Sequence, residues 1–494
     1  MALPEPRTLP EALGRQAALH PSRIALRTAT LALTYADLAR QADAAAHRLQ
    51  SWGVRAGDRV AWLGLNDPAQ VVLLFALARL GAALLPLNHR LAPAEWQALL
   101  AQTQPRLLVH ADGLADSAAG LASRQSIAVH AATSLTAAGE GAAPPDAAHA
   151  DAAALLVQTS GTTGLPRAAV HTQGQLLANM RIAAQVQMLT PDDVVLTVLP
   201  LFHVGGLCIQ TLPALSVGAT VLLHPRFMPE ATFDAIADER PSLTLQVPAT
   251  LKALVEHPRW ATADLACLRA VWAGSSLLPA PLLGAFHARG VPLCNVYGAT
   301  ESGPFSIALG PRHAMDHVGS CGWPAPGVEV RLEAAGGAGA DGAGEVWLRG
   351  PNVVRKYWPD QPAVGAEGWF HTGDLAMRAA DGSYTIVGRC RDLVISGGEN
   401  IHPAEIEAAL ALHPGVLECA AFGIPDPRWG EAVAVAVVLR PGMQPEEGLL
   451  RDHLAARIAR YKLPRRWVFV QQLPKTALGK VQRAALAALA GDAP

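Results

Sequence analysis

Short runs of apolar residues alternate with Ala- and Leu-rich segments of helical period along most of the chain. The runs at 60–65, 220–223 and 243–247 predict strands, and the patterns at 91–100 and 176–184 predict helices. Apolar runs without polar alternation are typical of strands that are covered on both faces. The pattern therefore predicts an α/β fold with largely buried strands.

Two changes in composition divide the chain. Residues 137–153 are rich in Ala, Gly, Pro and Asp, which predicts a surface connection. Near residue 390, the segment GRCRDLVISGGENIHP places charges, glycines and a proline between two regular regions. After it, AEIEAALALHPGV predicts an amphipathic helix, CAAFGIP a strand and EAVAVAVVL a strand of period two. We therefore predict a large α/β domain of several subdomains at 1–388, a hinge at 389–392 and a small α+β domain at 393–494.

Composition excludes several classes of protein. The 494 residues are 51% hydrophobic and 16% charged, so the chain can bury large cores and is not disordered. With 39 basic and 41 acidic side chains, the formal charge of -2 argues against a nucleic-acid or anionic-membrane binder. The six cysteines are widely spaced without a CxxC pair, which argues against a disulfide framework or a structural zinc site.

No targeting or membrane segment is evident in the sequence. The first 27 residues mix charges with prolines and lack the apolar core of a signal peptide. The most apolar stretch, 71–87, is interrupted by Arg79 and Pro86 and falls short of a membrane span. We therefore expect a cytoplasmic protein without an integral membrane segment.

The sharpest local signal is LLVQTSGTTGLPRAAVHT, an apolar strand that runs into a hydroxyl- and glycine-rich loop and then a cation. Glycine permits close backbone approach, and clustered amide and hydroxyl donors suit polyphosphate oxygens. An ordinary polar turn is the alternative. GxxxxGK[ST] is absent, so the loop is not that of a P-loop NTPase. The predicted phosphate-binding residues are Thr159, Ser160, Gly161, Thr162, Thr163, Gly164 and Arg167.

A second glycine pattern does not indicate a nucleotide site. Gly337, Gly339 and Gly342 formally spell GxGxxG. That fingerprint requires a strand before it and a helix after it, whereas here GVEVRLEA and GEVWLRG both read as strands. These glycines therefore predict a hairpin loop.

Two further segments place polar groups after strands. In VPLCNVYGATESG, Tyr297 can stack on a base and Glu301 can hold a divalent cation, although this segment is weak evidence alone. In GWFHTGDLAMRAADGSYTIVGRCRD, Asp374 lies in a Gly-bounded turn and Arg389 follows a strand. A carboxylate suits two ribose hydroxyls, but Asp374 could equally cap a turn.

The lysines are few, and their positions are informative. Of the 39 basic residues only five are lysines, and Lys480 lies in LPKTALGKVQR beside a loop glycine. A lysine kept in an Arg-rich background indicates a role for a compact ammonium group. For Lys462 and Lys475, a solvated surface position is the simpler interpretation.

Taken in order, these segments resemble the adenylate-forming (ANL) superfamily of acyl- and aryl-CoA synthetases, luciferases and peptide-synthetase adenylation domains. The resemblance runs from about Leu33 to Arg483 and rests on several motifs in a fixed order. These are TSGTTGLPR, PLFHVGG, YGATE, GEVWLRGP, GWFHTGD, GRCRD, GGENIHPAEIE and LPKTALGK. It implies the ANL fold with a mobile C-terminal domain. It also implies that a carboxylate and ATP form an acyl adenylate and pyrophosphate, after which a thiol displaces AMP.

The resemblance also implies roles for individual residues. Thr159–Gly164 would hold the β- and γ-phosphates, Glu301 would bind Mg²⁺, Thr300 would contact the α-phosphate and Lys480 would neutralise charge that develops there. Asp374 and Arg389 would hold the ribose. The residues around adenine would be Gly274, Ser275, Ser276, Asn295, Tyr297 and Gly298.

The C-terminal domain of this superfamily alternates between an adenylating and a thioester-forming pose. The hinge position is Arg391 here, where the family more often has Asp or Lys. In the second pose Gly397 and Gly398 would line the pantetheine tunnel. The phosphate loop ends in Arg167-Ala168 rather than Lys-Gly, which keeps the charge but reduces flexibility.

The predicted acyl pocket carries no fixed charge. Its wall would comprise His203, Val204, Gly205, Leu245, Ser275, Val296, Gly298, Gly303 and Phe305. An amino acid would need an acidic partner there and a dicarboxylate a buried cation, so we expect an aryl acid or a medium- to long-chain fatty acid. His203 would gate the pocket and contact the carboxylate, or would simply be a packed core histidine.

Free CoA is the expected acceptor, because the 14 residues after Lys480 contain no carrier domain. The chain is thus predicted to be an AMP-forming acid–CoA ligase that uses ATP, Mg²⁺ and CoA, with a homodimer as one possible assembly. Two alternatives stay open: an adenylating enzyme with another acceptor, and a noncatalytic member that binds nucleotide or acyl ligand.

Overall fold

The structure is a computed structural model that describes residues 5–136, 146–159, 167–274, 278–333, 343–396, 399–444, 446–475 and 481–491. Its strands are β1 Ile24–Arg27, β2 Ala32–Thr34, β3 Arg59–Leu63, β4 Ala83–Leu87, β5 Leu107–His110, β6 Ala128–Ala131, β7 Ala153–Thr159, β8 Arg167–Thr172, β9 Val194–Thr197, β10 Thr220–Leu223, β11 Leu243–Gln246, β12 Ala270–Ala273, β13 Leu293–Tyr297, β14 Ile307–Leu309, β15 Trp323–Pro324, β16 Glu329–Glu333, β17 Gly344–Arg349, β18 Lys356–Tyr357, β19 Gln361–Pro362, β20 Phe370–Arg378, β21 Tyr384–Arg389, β22 Val394–Ser396, β23 Glu399–Ile401, β24 Val416–Asp426, β25 Gly430–Leu439 and β26 Arg466–Phe469.

The α-helices are α1 Leu9–Leu19, α2 Tyr35–Ser51, α3 Pro68–Arg79, α4 Pro93–Thr103, α5 Ala115–Gln125, α6 Ala132–Thr136, α7 Gln173–Gln187, α8 Leu212–Val217, α9 Pro229–Asp238, α10 Pro248–Val255, α11 Ala280–His287, α12 Pro403–Leu410, α13 Glu447–Ala455 and α14 Arg483–Gly491. Local chemistry sets their ends. Thr34 begins α2 with a reciprocal capping box to Asp37, and Thr172 begins α7 in the same way with Gln175.

Two sheets with parallel centres build the N-terminal body. The first has the order β15-β14-β13-β12-β11-β9-β10-β1-β2 and is parallel from β13 to β1. The second has the order β19-β18-β8-β7-β4-β3-β5-β6 and is parallel from β7 to β6. Helices cover their faces, as parallel sheets require. The predicted α/β class is therefore confirmed.

The predicted strands and helices are present: the strand at 220–223 is β10 with the predicted ends, and the others have shifted ends. The strand expected at 60–65 is β3, that at 243–247 is β11, and the helices at 91–100 and 176–184 are α4 and α7. The apolar stretch 71–87 forms the buried α3 and strand β4. Among the described residues, no helix has the length and hydropathy of a membrane span.

A small antiparallel sheet, β16-β17-β20-β21, follows the large sheets. Strands β16 and β17 pair from Glu329↔Arg349 to Glu333↔Glu345, as a hairpin requires. The strands on either side of the glycine-rich segment therefore pair as predicted, while the glycines themselves, within 334–342, lie outside the described residues.

The C-terminal sheet has the order β23-β22-β25-β24, with β26 added beside β25. Strand β25 was expected to alternate, and its side chains do alternate between two clusters: Val433, Val435 and Val437 on one face, Ala434 and Ala436 on the other. Both faces are buried, because α12 and α13 cover the first and α14 covers the second. The period of two therefore separates large from small residues rather than apolar from polar ones.

Candidate active site

The site is built where strands of the first sheet end. Strands β12 and β13 are parallel neighbours, with Ala273 opposite Asn295, so Gly274 lies beside Val296, one residue before Tyr297. A Cβ on Gly274 would lie 2.6 Å from the carbonyl oxygen of Val296, so the close approach requires glycine. The carboxyl ends of parallel strands are the usual position for a ligand in such sheets.

The predicted phosphate loop connects a β-hairpin. Strands β7 and β8 are antiparallel, and Thr159 pairs directly with Arg167. The Thr159 hydroxyl donates to the Arg167 carbonyl at 3.4 Å. Residues 160–166 lie outside the described residues, but the two strands fix where the loop leaves and returns.

Glu301 lies between the two sheets and contacts this hairpin. The Tyr357 hydroxyl donates to Glu301 Oε1 at 3.0 Å, and the Tyr357 ring lies 5.3 Å from the Arg167 guanidinium. Burial raises the pKa of Glu301, opposed by hydrogen bonds from its own backbone amide, Tyr357 and Thr159 and by the charge of Arg389. The carboxylate therefore lies among donors of the second large sheet and near a cation of the small antiparallel sheet.

These surroundings fit Mg²⁺. This ion prefers oxygen ligands and usually binds one or two carboxylates together with substrate phosphates, not a cage of protein groups alone. Glu301 supplies one carboxylate beside the phosphate-loop hairpin. Its role as the metal ligand stays a prediction.

A second polar cluster surrounds Asp374, which is 8% exposed. Tyr297 donates its hydroxyl to Asp374 Oδ2 at 2.9 Å, and Arg389 Nε lies 2.8 Å from Asp374 Oδ1. Asp374 and Arg389 are also direct partners on β20 and β21. The expectation of a turn position for Asp374 was wrong: Gly373 has a positive φ of 68°, but Asp374 itself lies within β20.

Burial and the nearby Asp374 charge raise the pKa of Tyr297, so its phenol stays protonated and donates to the carboxylate. The loop after Tyr297 is tightly folded. A Cβ on Gly298 would lie 1.9 Å from the Pro304 carbonyl oxygen, and Gly303 has a φ of 79°. These glycines allow the chain to return and place Thr300 and Glu301 in a short 3₁₀ helix.

The predicted acyl wall is apolar. Val204, Leu245, Val296 and Phe305 are each at most 4% exposed. Phe305 also packs against Trp272, with ring centroids 5.6 Å apart. A π-helix at Gly205–Thr211 lies over the same part of the sheet, next to β9 and β11. Among the described wall residues none carries a fixed charge, in agreement with the expectation from sequence.

His203 lies half-buried at the start of this π-helix. Its Nδ1 accepts a hydrogen bond from the Gly205 amide at 3.2 Å. Burial lowers its pKa to about 4, so the imidazole is neutral near pH 7 and its Nε2 carries the proton. His203 can therefore donate a hydrogen bond from Nε2, and its contact with a substrate carboxylate stays a prediction.

The Asn295 side chain contacts the segment before β15, and its proposed place near adenine stays a prediction. Its amide donates to the Ser320 carbonyl oxygen at 3.2 Å and lies 3.3 Å from Cys321 Sγ. Other predicted site residues lie outside the described residues. They are Ser160, Gly161, Thr162, Thr163, Gly164, Ser275, Ser276, Gly397, Gly398 and Lys480.

Two of the C-terminal lysines are not simply solvated. Lys462 binds both oxygens of Glu405 at 2.8 and 2.7 Å and is 16% exposed, because the pair packs between α12 and a 3₁₀ turn. Lys475 binds Glu418 in the same way at 2.7 and 2.8 Å. The expectation of a solvated position was therefore wrong for Lys462. At the predicted hinge, Arg391 Nε lies 3.6 Å from Asp392.

The sequence interpretation missed Tyr357, which links Glu301 to Arg167. Its strand β18 is two residues long and carries no periodic signal. The available clue was composition, since the chain has only five tyrosines and this one follows the GP of GEVWLRGP. The interpretation also missed Asn179 and Gln187, which donate to the π-helix carbonyls of Cys208 and Ile209 at 2.7 Å each.

The fold and these clusters define an enzyme class that binds a nucleotide at the ends of two sheets beside an apolar acid pocket. Comparison with known proteins agrees. The family model "AMP-binding enzyme" matches residues 13–358, and "AMP-binding enzyme C-terminal domain" matches 405–480. The chain belongs to this family, within the adenylate-forming superfamily.

Three known proteins illustrate the similarity. The indoleacetate–CoA ligase of Aromatoleum aromaticum is 42% identical, with 96% of each chain covered. A feruloyl-CoA synthase of an Amycolatopsis species is 40% identical over 94% of this chain and 96% of its own. The o-succinylbenzoate–CoA synthetase of Bacillus subtilis, solved with ATP and a magnesium ion, is 30% identical with a TM-score of 0.87, covering 96% of this chain and 98% of its own.

These findings confirm the predicted superfamily, its fold and its reaction class. The chain is an AMP-forming acid–thiol ligase of a family that uses ATP, Mg²⁺ and CoA.

Proposed function

We propose that this enzyme activates an aryl or arylalkanoic acid as its acyl adenylate and transfers the acyl group to CoA. The observation that carries the proposal is the uncharged wall of Val204, Leu245, Val296 and Phe305, which adjoins a nucleotide cluster rich in paired charges. The relatives that act on indoleacetate and ferulate support an aryl substrate over a fatty acid.

The chemistry follows from the poor reactivity of a carboxylate. Attack of the carboxylate oxygen on the α-phosphorus breaks the bond to the β-phosphate oxygen and releases pyrophosphate. The resulting mixed anhydride has AMP as a leaving group, which the CoA thiolate then displaces. Magnesium, when bound, would neutralise phosphate charge.

We assign the nucleotide contacts from the places that these residues take in the two polar clusters. Asp374 and Arg389 would hold the ribose hydroxyls, and Tyr297 would fix the Asp374 carboxylate while its ring faces adenine. Glu301 would hold the magnesium ion, and the hairpin loop between Thr159 and Arg167 would hold the β- and γ-phosphates. The short distances within these two clusters support the assignment, because a pre-organised polar site loses little free energy to reorganisation.

We assign the second half-reaction to a movement of the C-terminal domain about 389–392. In the present pose Lys252 of α10 donates to the Leu417 carbonyl oxygen of β24 at 3.4 Å, and Glu256 lies 3.8 Å from Arg440. The first contact is partly buried and the second is an exposed ion pair, which can be exchanged at little free-energy cost. Lys480 would serve adenylation, and Gly397 and Gly398 would line the CoA tunnel after the movement. A cytoplasmic location and a homodimer stay predictions.

The test is AMP release from Mg-ATP with a panel of acids, each with and without CoA. The panel contains indole-3-acetate, ferulate, cinnamate, benzoates and fatty acids of graded length. We expect CoA-dependent AMP release with aryl acids and little with the fatty acids. A preference for fatty acids would contradict the aryl assignment, and AMP release that is independent of CoA would indicate another acceptor.

A further inference from the structure

Tyr357 is placed by two backbone contacts that join the two large sheets. On one side the Val354 amide donates to the Glu301 carbonyl oxygen at 2.8 Å. On the other side the Trp358 amide donates to the Ala168 carbonyl oxygen at 2.8 Å, and Tyr357 pairs with Ala169 of β8. The position of Tyr357 is therefore fixed by the main chain of both sheets.

The side chain of Tyr357 lies between two groups of opposite charge. Its hydroxyl donates to Glu301 Oε1 at 3.0 Å, and its ring faces the Arg167 guanidinium at 5.3 Å from the centroid. Tyr357 is only 7% exposed, so water does not easily replace it. A half-buried carboxylate and a guanidinium that contact the same side chain can otherwise form a direct bidentate ion pair.

Such an ion pair would damage the site. It would occupy the Glu301 oxygens that are proposed to bind magnesium and the Arg167 charge that is proposed to face phosphate. A tyrosine in this place satisfies one carboxylate oxygen without neutralising the carboxylate, and its ring attracts the guanidinium without removing its charge.

We propose that Tyr357 is a positioning residue that keeps Glu301 and Arg167 apart and aims both at the magnesium–triphosphate end of the nucleotide. The inference rests on the proposed function for the identity of the nucleotide. Tyr357 would thus set the spacing between Glu301 and Arg167. It would itself contact neither the substrate carboxylate oxygen nor the α-phosphorus.

The experiment measures ATP binding by calorimetry at graded Mg²⁺ concentrations, without acid or CoA, so that no turnover is needed. Tyr357→Phe keeps the ring and loses the hydroxyl. We expect it to raise the Mg²⁺ concentration for half-maximal ATP binding by about tenfold, as for the loss of one hydrogen bond to a charged group. Tyr357→Leu, which also loses the ring between the charges, is expected to raise it further. The KM for the acid should stay within about twofold in both variants, because Tyr357 lies outside the acyl wall.

Tyr35→Phe is the matched control. Tyr35 is fully buried in α2 and donates its hydroxyl to the Ala219 carbonyl oxygen at 2.6 Å, far along the sheet from Glu301. This variant should lower the thermal midpoint and leave the Mg²⁺ dependence unchanged. A change in Mg²⁺ dependence equal to that of Tyr357→Phe would overturn the proposal, because a purely structural effect would then suffice.

A double-mutant cycle with Glu301→Gln tests the coupling directly. Once the carboxylate is gone, Tyr357→Phe should have little further effect on Mg²⁺ dependence. Additive effects, or a folded Tyr357→Phe with wild-type Mg²⁺ dependence, would overturn the inference. A wild-type protein that binds Mg-ATP but activates no acid would refute the proposed function, while the comparison of variants would still decide the role of Tyr357.

Discussion

The two halves of the candidate site are built by opposite means. In the nucleotide half, Asp374 is held by the Tyr297 hydroxyl and the Arg389 guanidinium, and Glu301 by the Tyr357 hydroxyl, across 2.8–3.0 Å. In the acyl half, Val296 and Phe305 form a buried surface without fixed charge, over which a π-helix lies. In the proposed function, one half would recognise its ligand by directed polar contacts and the other by shape.

The difference indicates where specificity can change. A directed contact binds one chemical group and tolerates little displacement, because an unpaired buried polar group costs about 1–3 kcal/mol. An apolar wall distinguishes ligands mainly by size, at about 1–3 kcal/mol for each methylene group. We therefore expect substitutions in the nucleotide half to affect all acids alike and substitutions in the acyl half to affect some acids only.

The largest expected effect is that of Lys480→Ala, since the ammonium group would act between the two halves. Loss of one such electrostatic contact should slow adenylation by about 3 kcal/mol, or roughly a hundredfold or more. Thioester formation from supplied acyl adenylate should be largely spared. Lys475→Ala, which removes a surface partner of Glu418, serves as the control. Equal damage to both half-reactions would contradict the assignment.

Asp374→Asn should act on the nucleotide half alone. The loss of charge-assisted hydrogen bonds is expected to raise the KM for ATP by about 2 kcal/mol, roughly thirtyfold, with every acid tested. Asp381→Asn is a suitable control. Like Asp374, Asp381 accepts a hydrogen bond from a side-chain hydroxyl, here that of Ser383, but it lies on the turn between β20 and β21. A rise that depends on the acid would contradict the separation of the halves.

Gly205→Ala should act on the acyl half alone. The new methyl group would lie 3.4 Å from His203 Nδ1, at the start of the π-helix. We expect kcat/KM for the bulkiest aryl acids to fall about tenfold, with smaller benzoates and the KM for ATP nearly unchanged. At Gly284 of α11 an added Cβ meets open space, so Gly284→Ala controls for a general effect of alanine. A uniform loss with all acids would contradict recognition by shape.

The smallest effect concerns His171, which supports the nucleotide half from within β8. It is fully buried, and neither ring nitrogen has a hydrogen-bond partner among the described residues. Burial lowers its pKa from 6.5 to about 4. The stability that the neutral imidazole contributes is therefore fully present above pH 6.5. It is lost as the pH falls toward 4, because the unfolded chain binds the proton at a higher pH than the folded chain does.

At pH 5.5 this contribution should be about 1 kcal/mol smaller than at pH 7.5. Thermal unfolding at both pH values measures it. His171→Leu should reduce the acid sensitivity, and His149→Leu, at an exposed position, should not. Equal acid sensitivity in wild type and His171→Leu would contradict the role of burial.

Much of the site could be predicted because its parts are local. The hairpin ends at Thr159 and Arg167, the strand end at Tyr297 and the adjoining glycines are each encoded within a few residues of one another. Asp374 was wrongly placed in a turn, because the positive φ belongs to Gly373 and Asp374 itself lies within β20. The apolar character of the acyl wall also followed from residue types alone.

The sequence by itself determined the superfamily, the α/β class and the residue types available for phosphate, ribose and acid, because these reside in short ordered motifs. Only the tertiary structure decided how those motifs meet. Tyr357 contacts Glu301 across 56 positions of sequence, and Tyr297 contacts Asp374 across 77. Such contacts arise when one short strand pairs with another sheet and the chain returns through glycine turns. A strand of two residues has no period to detect, so its partner is set by the packing of the whole body.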